Sequence, residues 1–315
     1  MDDLVQMKKA VETSPLFAEG KAALQLIAHL PAVLASGLRV VEGCPAFLVS
    51  VADYETYRAC TLDEASEFED HYQDEATGQV VSRSCLLSFV ANLRHLPPQP
   101  LLYLSVGAYA RVETEILPGV REPVFPQLEA EILAPSIYTA DELLKLLLQI
   151  QHETFRLIGL KNQPRVRLNN HNAFVKLISK LPYLVQRKVR KLMDKLETAR
   201  AESENTEPIL AEILGIVPPP LHATIRQWTS TPFDLNPTYP EASWSRTLVG
   251  GPLTYEGLVF ETDYTTTTGR QFTEVAGGGN FSPLARRFGM PQGWQAIGFA
   301  VGLLRLGTAR SLEQT

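Results

Sequence analysis

An α+β fold follows from three features of the sequence. Residues 101–112 (LLYLSVGAYARV) and 129–133 read as two strands, joined by a polar connection over 113–127 that holds Pro118, Gly119 and Pro123. Residues 140–158 carry apolar side chains at helical spacing between Thr139, a good N-terminal cap, and Gly159, a good C-terminal stop. The last hundred residues alternate strand signals at 258–261 and 272–276 with a turn signal at Gly277-Gly278-Gly279, and 294–306 then reads as a strand running into a helix. Short antiparallel strands interrupted by helices make an α+β domain.

The remaining elements fill in around these. Residues 21–34 place Leu24, Leu26, Ile27, Leu30 and Leu34 on a helical face, with a kink expected at Pro31 and a stop at Ser36-Gly37. Residues 38–51 are rich in β-branched side chains and are broken by Pro45, so they should be extended. An acidic stretch over 61–78 ends in Ala76-Thr77-Gly78, a turn whose second strand begins at Val80-Val81. Residues 165–168 form a short strand, and a helical stretch from His171 to about Ile216 is closed by Val217 and three prolines. The expected organisation is one core of residues 1–170 and 217–315, with 171–216 as a helical insertion.

Composition limits the partners. The chain has 315 residues, 45% hydrophobic, with 29 Lys+Arg against 35 Asp+Glu for a net charge of -6. No run of about eighteen apolar residues is present, so no membrane span is expected. The charged start lacks a secretory h-region, and three widely spaced cysteines (Cys44, Cys60, Cys85) suit reduced thiols, which together predict a cytoplasmic protein. The acidic balance gives no global footprint for nucleic acid, and no such partner is expected. The one basic cluster, 180–200, has two readings. It is a helix with a buried stripe through Leu184, Val185, Val189, Leu192 and Leu196 and a solvated basic face, or it is a phosphate-contacting face.

The C-terminal segments YEGLVFE (255–261), GGGNF (277–281) and IGFAVGLLRL (297–306) resemble, in order and spacing, the YYTGxVFE, GGGRYD and VGFAxGLERL elements of the histidyl-tRNA synthetase catalytic core. Upstream, YLSVGAYARVE (103–113) resembles the class II motif 2 strand, and Arg121-Glu122 with Gln127 and Glu131 resembles the returning strand. Residues 37–41 with Pro45 resemble motif 1, the dimer-forming strand. The resemblance runs from roughly residue 22 to 306. It implies a class II aminoacyl-tRNA synthetase-like antiparallel sheet flanked by helices, a homodimer, and a helical insertion where 171–216 stands. The chain ends soon after the last element, so an anticodon-binding domain and tRNA decoding are not expected.

The same resemblance assigns residues. Arg111 would hold an α-phosphate with Glu113 two residues on, and Arg305 a γ-phosphate, so that ATP with Mg is the implied cofactor. The plain alternative is that each arginine pairs with an acidic neighbour. Gln127 and Glu131 would bind a cationic amine and Tyr255 would close one side. Three departures oppose histidine activation. Gly250 stands where the family has an arginine, Cys85 and Leu87 stand where its RPEGT element has a carboxylate and a threonine, and GGGRYD has become GGGNFS. Losing one preorganised cation typically costs on the order of a hundredfold in rate. Cys85 as a zinc ligand or nucleophile finds no second cysteine or His-x-x-His spacing in support, so no metal is expected. His171 suits a turn or helix start, and Glu131 could also be a solvated sheet-end carboxylate.

Three functional readings stay open. The first is a non-catalytic regulatory subunit of ATP phosphoribosyltransferase, which partners a short catalytic subunit in histidine biosynthesis; Cys85 and Leu87 count against a histidine sensor. The second is a ligase that activates another amine-bearing acid on ATP for a non-tRNA acceptor. The third is a dimeric scaffold without catalysis. A small-molecule ligand belongs to the first two, and independent enzymatic activity is left open.

Overall fold

The computed structural model describes residues 2–61, 72–74, 77–82, 84–96, 99–110, 122–201, 204–230, 235–236, 239–245, 248 and 254–314. The chain opens with α1 (Asp2–Glu12), α2 (Pro15–Ile27) and α3 (Pro31–Ala35). The Ser14 hydroxyl caps α2 by accepting from the Phe17 amide at 3.3 Å. The kink expected at Pro31 is a full break: Leu30 is extended (φ -60°, ψ 137°), and α3 restarts with the proline in its first turn, where no amide donor is needed. Gly37 then turns at φ +71°.

Two short strands follow on either side of Pro45, β1 (Arg39–Glu42) and β2 (Leu48–Ser50), then α4 (Val51–Thr61), β3 (Gln73–Asp74), β4 (Gln79–Val81) and α5 (Cys85–Asn92). Next come β5 (Leu101–Ala110) and β6 (Val124–Pro135), antiparallel as expected. Strand β6 begins inside the stretch read as a loop. Pro126 is tolerated there because the neighbour on its other side runs out at Gln127, leaving no partner for the missing donor. Helix α6 (Ala140–Ile158) carries the full capping box, with Thr139 and Glu142 bonding reciprocally, and ends at Gly159 with φ 91°.

After β7 (Arg165–Asn170) the chain is helical through α7 (His171–Ile178), α8 (Tyr183–Ala201), α9 (Glu207–Ile216) and α10 (His222–Ser230). Helix α9 ends at Ile216 before the prolines at 218–220, as expected, and the chain resumes in α10, whose Ile225 is buried with Phe174, Val189, Met193 and Ile213. On α8 the buried stripe runs through Val189, Leu192, Met193 and Leu196. Leu184, expected in it, is 70% exposed. Lys188, Lys191 and Lys195 face outward.

The chain closes with β8 (Leu235–Asn236), β9 (Tyr239–Trp244), β10 (Leu258–Thr265), β11 (Gln271–Asn280), α11 (Ser282–Arg287), β12 (Trp294–Gly302) and α12 (Leu303–Gln314). Among the described residues the large sheet runs β1-β5-β6-β12-β11-β10-β7-β9-β8, and β2, β4 and β3 form a small one. The expected antiparallel order holds from β5 to β7, whereas β1 on β5 and β9 on β7 are parallel. Gly277-Gly278-Gly279 lies inside β11, against the turn reading. A side chain on Gly278 would strike the Gly298 carbonyl on β12, so the glycines serve close strand approach. One sheet face is sealed by α2, α6 and α12 through Leu104, Leu128, Ile132, Phe260 and Phe299. The other face carries the polar residues described next. No helix among the described residues is long and apolar enough to cross a membrane.

Candidate functional site

Side chains on a strand alternate between faces. Leu128, Ala130 and Ile132 of β6 enter the helix-covered core, so Gln127, Glu129 and Glu131 stand together on the opposite face. Register places Tyr103 and Ser105 of β5 beside Glu131 and Glu129. On the other flank Gly298 and Ala300 of β12 pair with the same two glutamates, and Gly279 and Gly277 of β11 continue the row. A wall of hydroxyls and rings therefore borders two carboxylates, with a floor of small residues beyond them. Gly298 is required, because a Cβ there would occupy the space of the Glu131 carboxylate.

Both carboxylates are buried, Glu129 fully and Glu131 to 2% exposure. Glu129 Oε1 accepts from the Ser105 hydroxyl and from Tyr109 Oη at 3.2 Å. Glu129 Oε2 and Glu131 Oε2 are sealed from solvent without a hydrogen-bond partner. Among the described residues no basic side chain pairs with either one. Burial pushes Glu129 up to about 7, against the Ser105, Tyr109 and Cys85 hydrogen bonds that favour its anion. Glu131 is pushed well above the usual carboxylate range by burial and then by the charge of Glu129.

Cys85 begins α5, behind the Ser84 hydroxyl that caps the Leu87 amide. Its own amide points to Gln127 Oε1 at 3.4 Å. Burial raises the thiol well above its ordinary value, and the Glu129 and Glu131 charges add to this. The Tyr255 ring lies beside Gly279, and its hydroxyl is raised by burial, then by Tyr57, Glu131 and Cys85. Gln127, Glu131, Tyr255 and Cys85 are thus gathered in one place. Leu87, expected to make the amine end more apolar, is buried instead with Val49, Tyr54 and Val80. Glu131 is a buried carboxylate and not a solvated one.

Arg305 stands in the first turn of α12, where its Nη1 donates to the carbonyls of Thr273 (3.0 Å) and Glu274 (2.8 Å). Those carbonyls lie towards the far end of β11 from Gly279, and the step from Glu274 to Gly279 spans about 16 Å at the strand rise of about 3.3 Å per residue. Arg111, Glu113 and Gly250 lie outside the described residues. Cavities occur elsewhere: one of about 590 Å³, lined by Met7, Val11, Leu16, Val124 and Leu304, opens on the opposite face of β6.

Glu129 was missed by the motif comparison, which stopped at Gln127 and Glu131. The sequence carried a signal for it: Gln127-x-Glu129-x-Glu131 is a period-two row of polar residues inside an apolar strand. Glu261, inside the quoted YEGLVFE segment, was not assigned either. It pairs with Gly277 across β10 and β11 and is 28% exposed, bonded to Arg167 at 3.0 Å.

The mixed sheet with helices on one face and, on the other, a polar row on β6 beside the small residues of β12 has the class II aminoacyl-tRNA synthetase-like fold. Its structural neighbours are histidyl-tRNA synthetase-like proteins. A histidine–tRNA ligase subunit of Alicyclobacillus acidocaldarius superposes with a TM-score of 0.62 at 14% identity, covering 96% of each chain. An ATP phosphoribosyltransferase regulatory subunit/histidyl-tRNA synthetase from Bacillus halodurans gives 0.59 at 17% identity, over 93% of this chain and 79% of that one. A chain of the ATP phosphoribosyl transferase complex of Thermotoga maritima gives 0.50 at 14% identity, over 92% and 97%. By sequence, a histidine–tRNA ligase of Sulfurisphaera tokodaii is 26% identical over 324 residues, 88% of this chain and 72% of that protein. No protein-family model matches the chain.

Proposed function

We propose that this chain is a non-catalytic, ligand-binding relative of histidyl-tRNA synthetase that acts as a regulatory subunit of ATP phosphoribosyltransferase in the cytoplasm. The observation that carries the reading is the pair Glu129 and Glu131, buried over a small-residue floor and without a basic partner among the described residues. A ligand ammonium placed against them gains charge-assisted hydrogen bonds and offsets the burial that disfavours their ionised forms. Gly250, standing where the family has an arginine, supports loss of catalysis. The Thermotoga complex supports the choice of partner.

The test is to mix the chain with a short ATP phosphoribosyltransferase catalytic subunit and follow sedimentation and turnover. Co-sedimentation with a several-fold change in turnover is expected. Separate boundaries and unchanged turnover would reject the partner. Calorimetry with a panel of amines that includes histidine tests the pocket, where Glu131→Gln should weaken binding about 10- to 100-fold. Histidine charging of tRNA is expected to stay at background on acid gels, and clear histidyl-tRNA formation would overturn the non-catalytic reading.

A ligase reading draws on Arg305, which keeps the position the resemblance gives to a phosphate-binding residue, and on the histidine–tRNA ligase relative. Under it ATP with Mg would lie between Arg305 and the glutamates, and the separation of about 16 Å along β11 suits an extended nucleotide-linked ligand. Amino-acid-dependent exchange of pyrophosphate into ATP is the outcome that would favour it.

The edge strand β1, paired along one side with β5, carries the segment 38–48 through which we expect two copies to join. Sedimentation equilibrium at micromolar concentration should give a dimer mass, and a monomer there would count against this interface.

A further inference from the structure

We propose that Cys85, Glu129 and Glu131 form a binding site for a divalent transition-metal ion of the zinc type. The thiol and one oxygen of each carboxylate all lie within 4.8 Å of one another, and all three residues are buried. Sequence spacing could not reveal this set, because it joins the first residue of α5 to two same-face positions of β6. A second observation points to a cationic ligand. Ser105 and Tyr109 both occupy Glu129 Oε1, leaving Oε2 without a partner, and Glu131 Oε2 is equally unpartnered at 2% exposure. Outer hydrogen bonds of this kind are what orient a ligating carboxylate.

Donor chemistry selects the ion. Calcium and magnesium take six or more oxygen ligands, whereas a thiolate with two carboxylates suits a four-coordinate ion such as zinc. Zinc–sulfur and zinc–oxygen bonds of about 2.3 and 2.1 Å place tetrahedral donors about 3.5 Å apart. The three side chains therefore have to close by no more than about an ångström. Three protein donors leave a fourth position, which a ligand amine could take. The inference goes beyond the amine-binding reading and shares its carboxylates, so the test reads the metal with no ligand present.

Full-length protein stripped with a chelator is titrated with cobalt(II) as the probe, then with zinc. One equivalent per chain is expected, with a thiolate-to-cobalt charge-transfer band that zinc abolishes. Cys85→Ser should remove the band, and Glu131→Gln should weaken binding by more than the roughly 10- to 100-fold that loss of an outer partner costs. Ser105→Ala should fall within that smaller range. Cys44→Ser and Cys60→Ser should leave the band intact. Absence of the band in the wild-type chain, or a band that survives Cys85→Ser, would overturn the site. If Cys85→Ser does not fold, X-ray absorption of the wild-type cobalt protein decides: one sulfur with oxygen neighbours supports the site, and an all-oxygen shell sinks it. If the wild-type chain shows no band but the metal-free protein binds an amine in a separate calorimetric titration, the metal site falls while the functional reading stands.

Discussion

Arg167→Ala is expected to destabilise the chain by about 3–5 kcal/mol, the range for removing one partner of a buried ion pair. Arg167 is 1% exposed at the centre of three carboxylates. It donates to Asp263 through Nε at 2.8 Å and Nη2 at 3.0 Å, to Glu261 at 3.0 Å, and through Nη1 to Glu197. Glu197 lies on α8 and its other oxygen accepts from Ser245 at 2.6 Å. The cluster therefore clamps the helical segment to β7 and β10, and removing the guanidinium leaves buried negative charges facing one another. Thermal unfolding should show the midpoint falling by about 10 °C, at a few degrees per kcal/mol for a chain of this size. A loss below about 1 kcal/mol would mean that water reaches the carboxylates.

The same substitution should reach Arg305, the residue to which the sequence resemblance gives a phosphate. Asp263 Oδ1 also accepts the Glu274 amide at 3.0 Å, and Glu274 is held at φ +52°, a left-handed conformation that needs support in a residue other than glycine. The Glu274 carbonyl in turn holds Arg305. Losing Arg167 frees Asp263, then this turn, then the second arginine.

How much of this was legible beforehand depended on range. Local signals carried α6, its cap and its stop, because Thr139, Glu142 and Gly159 act within one helical turn. The break at Pro45 and the pairing of β5 with β6 followed from similarly short-range chemistry. The glycines of β11 misled as a turn, since close approach between β11 and β12 is a property of two strands far apart in sequence. The stop at Ile216 before the prolines was legible, but the further helix α10 was not, because the burial of Ile225 is settled by neighbours on α7, α8 and α9. In the site, Gln127, Glu131, Tyr255 and Cys85 came through the motif comparison. Glu129 did not, and the Arg167 cluster, drawn from β7, α8 and β10, leaves no pattern in a linear chain.

The Glu129 and Glu131 pair should make stability fall as pH rises through neutrality, and Glu129→Gln should remove the share of that fall that belongs to Glu129, leaving the share that burial of Glu131 imposes. Below about pH 4.5 both carboxyls are protonated in the folded and unfolded chains, so they contribute no difference. Above it the unfolded chain loses its protons first, while burial keeps Glu129 protonated in the folded chain up to about 7. Folding then becomes less favourable by about 1.4 kcal/mol per pH step for each retained proton. Carried from 4.5 to about 7, one carboxyl costs about 3 kcal/mol, reached once the folded group ionises. Glutamine at 129 keeps the acceptor for Ser105 and Tyr109, removes the anion, and relieves Glu131 of the charge that is the second cause of its own elevation. Urea unfolding of wild-type and Glu129→Gln chains at pH 5 and pH 8 isolates the effect. The two should be close in stability at pH 5, with the variant ahead by about 3 kcal/mol at pH 8. Parallel profiles would mean that a cation, from a ligand or from a side chain outside the described residues, already neutralises the pair.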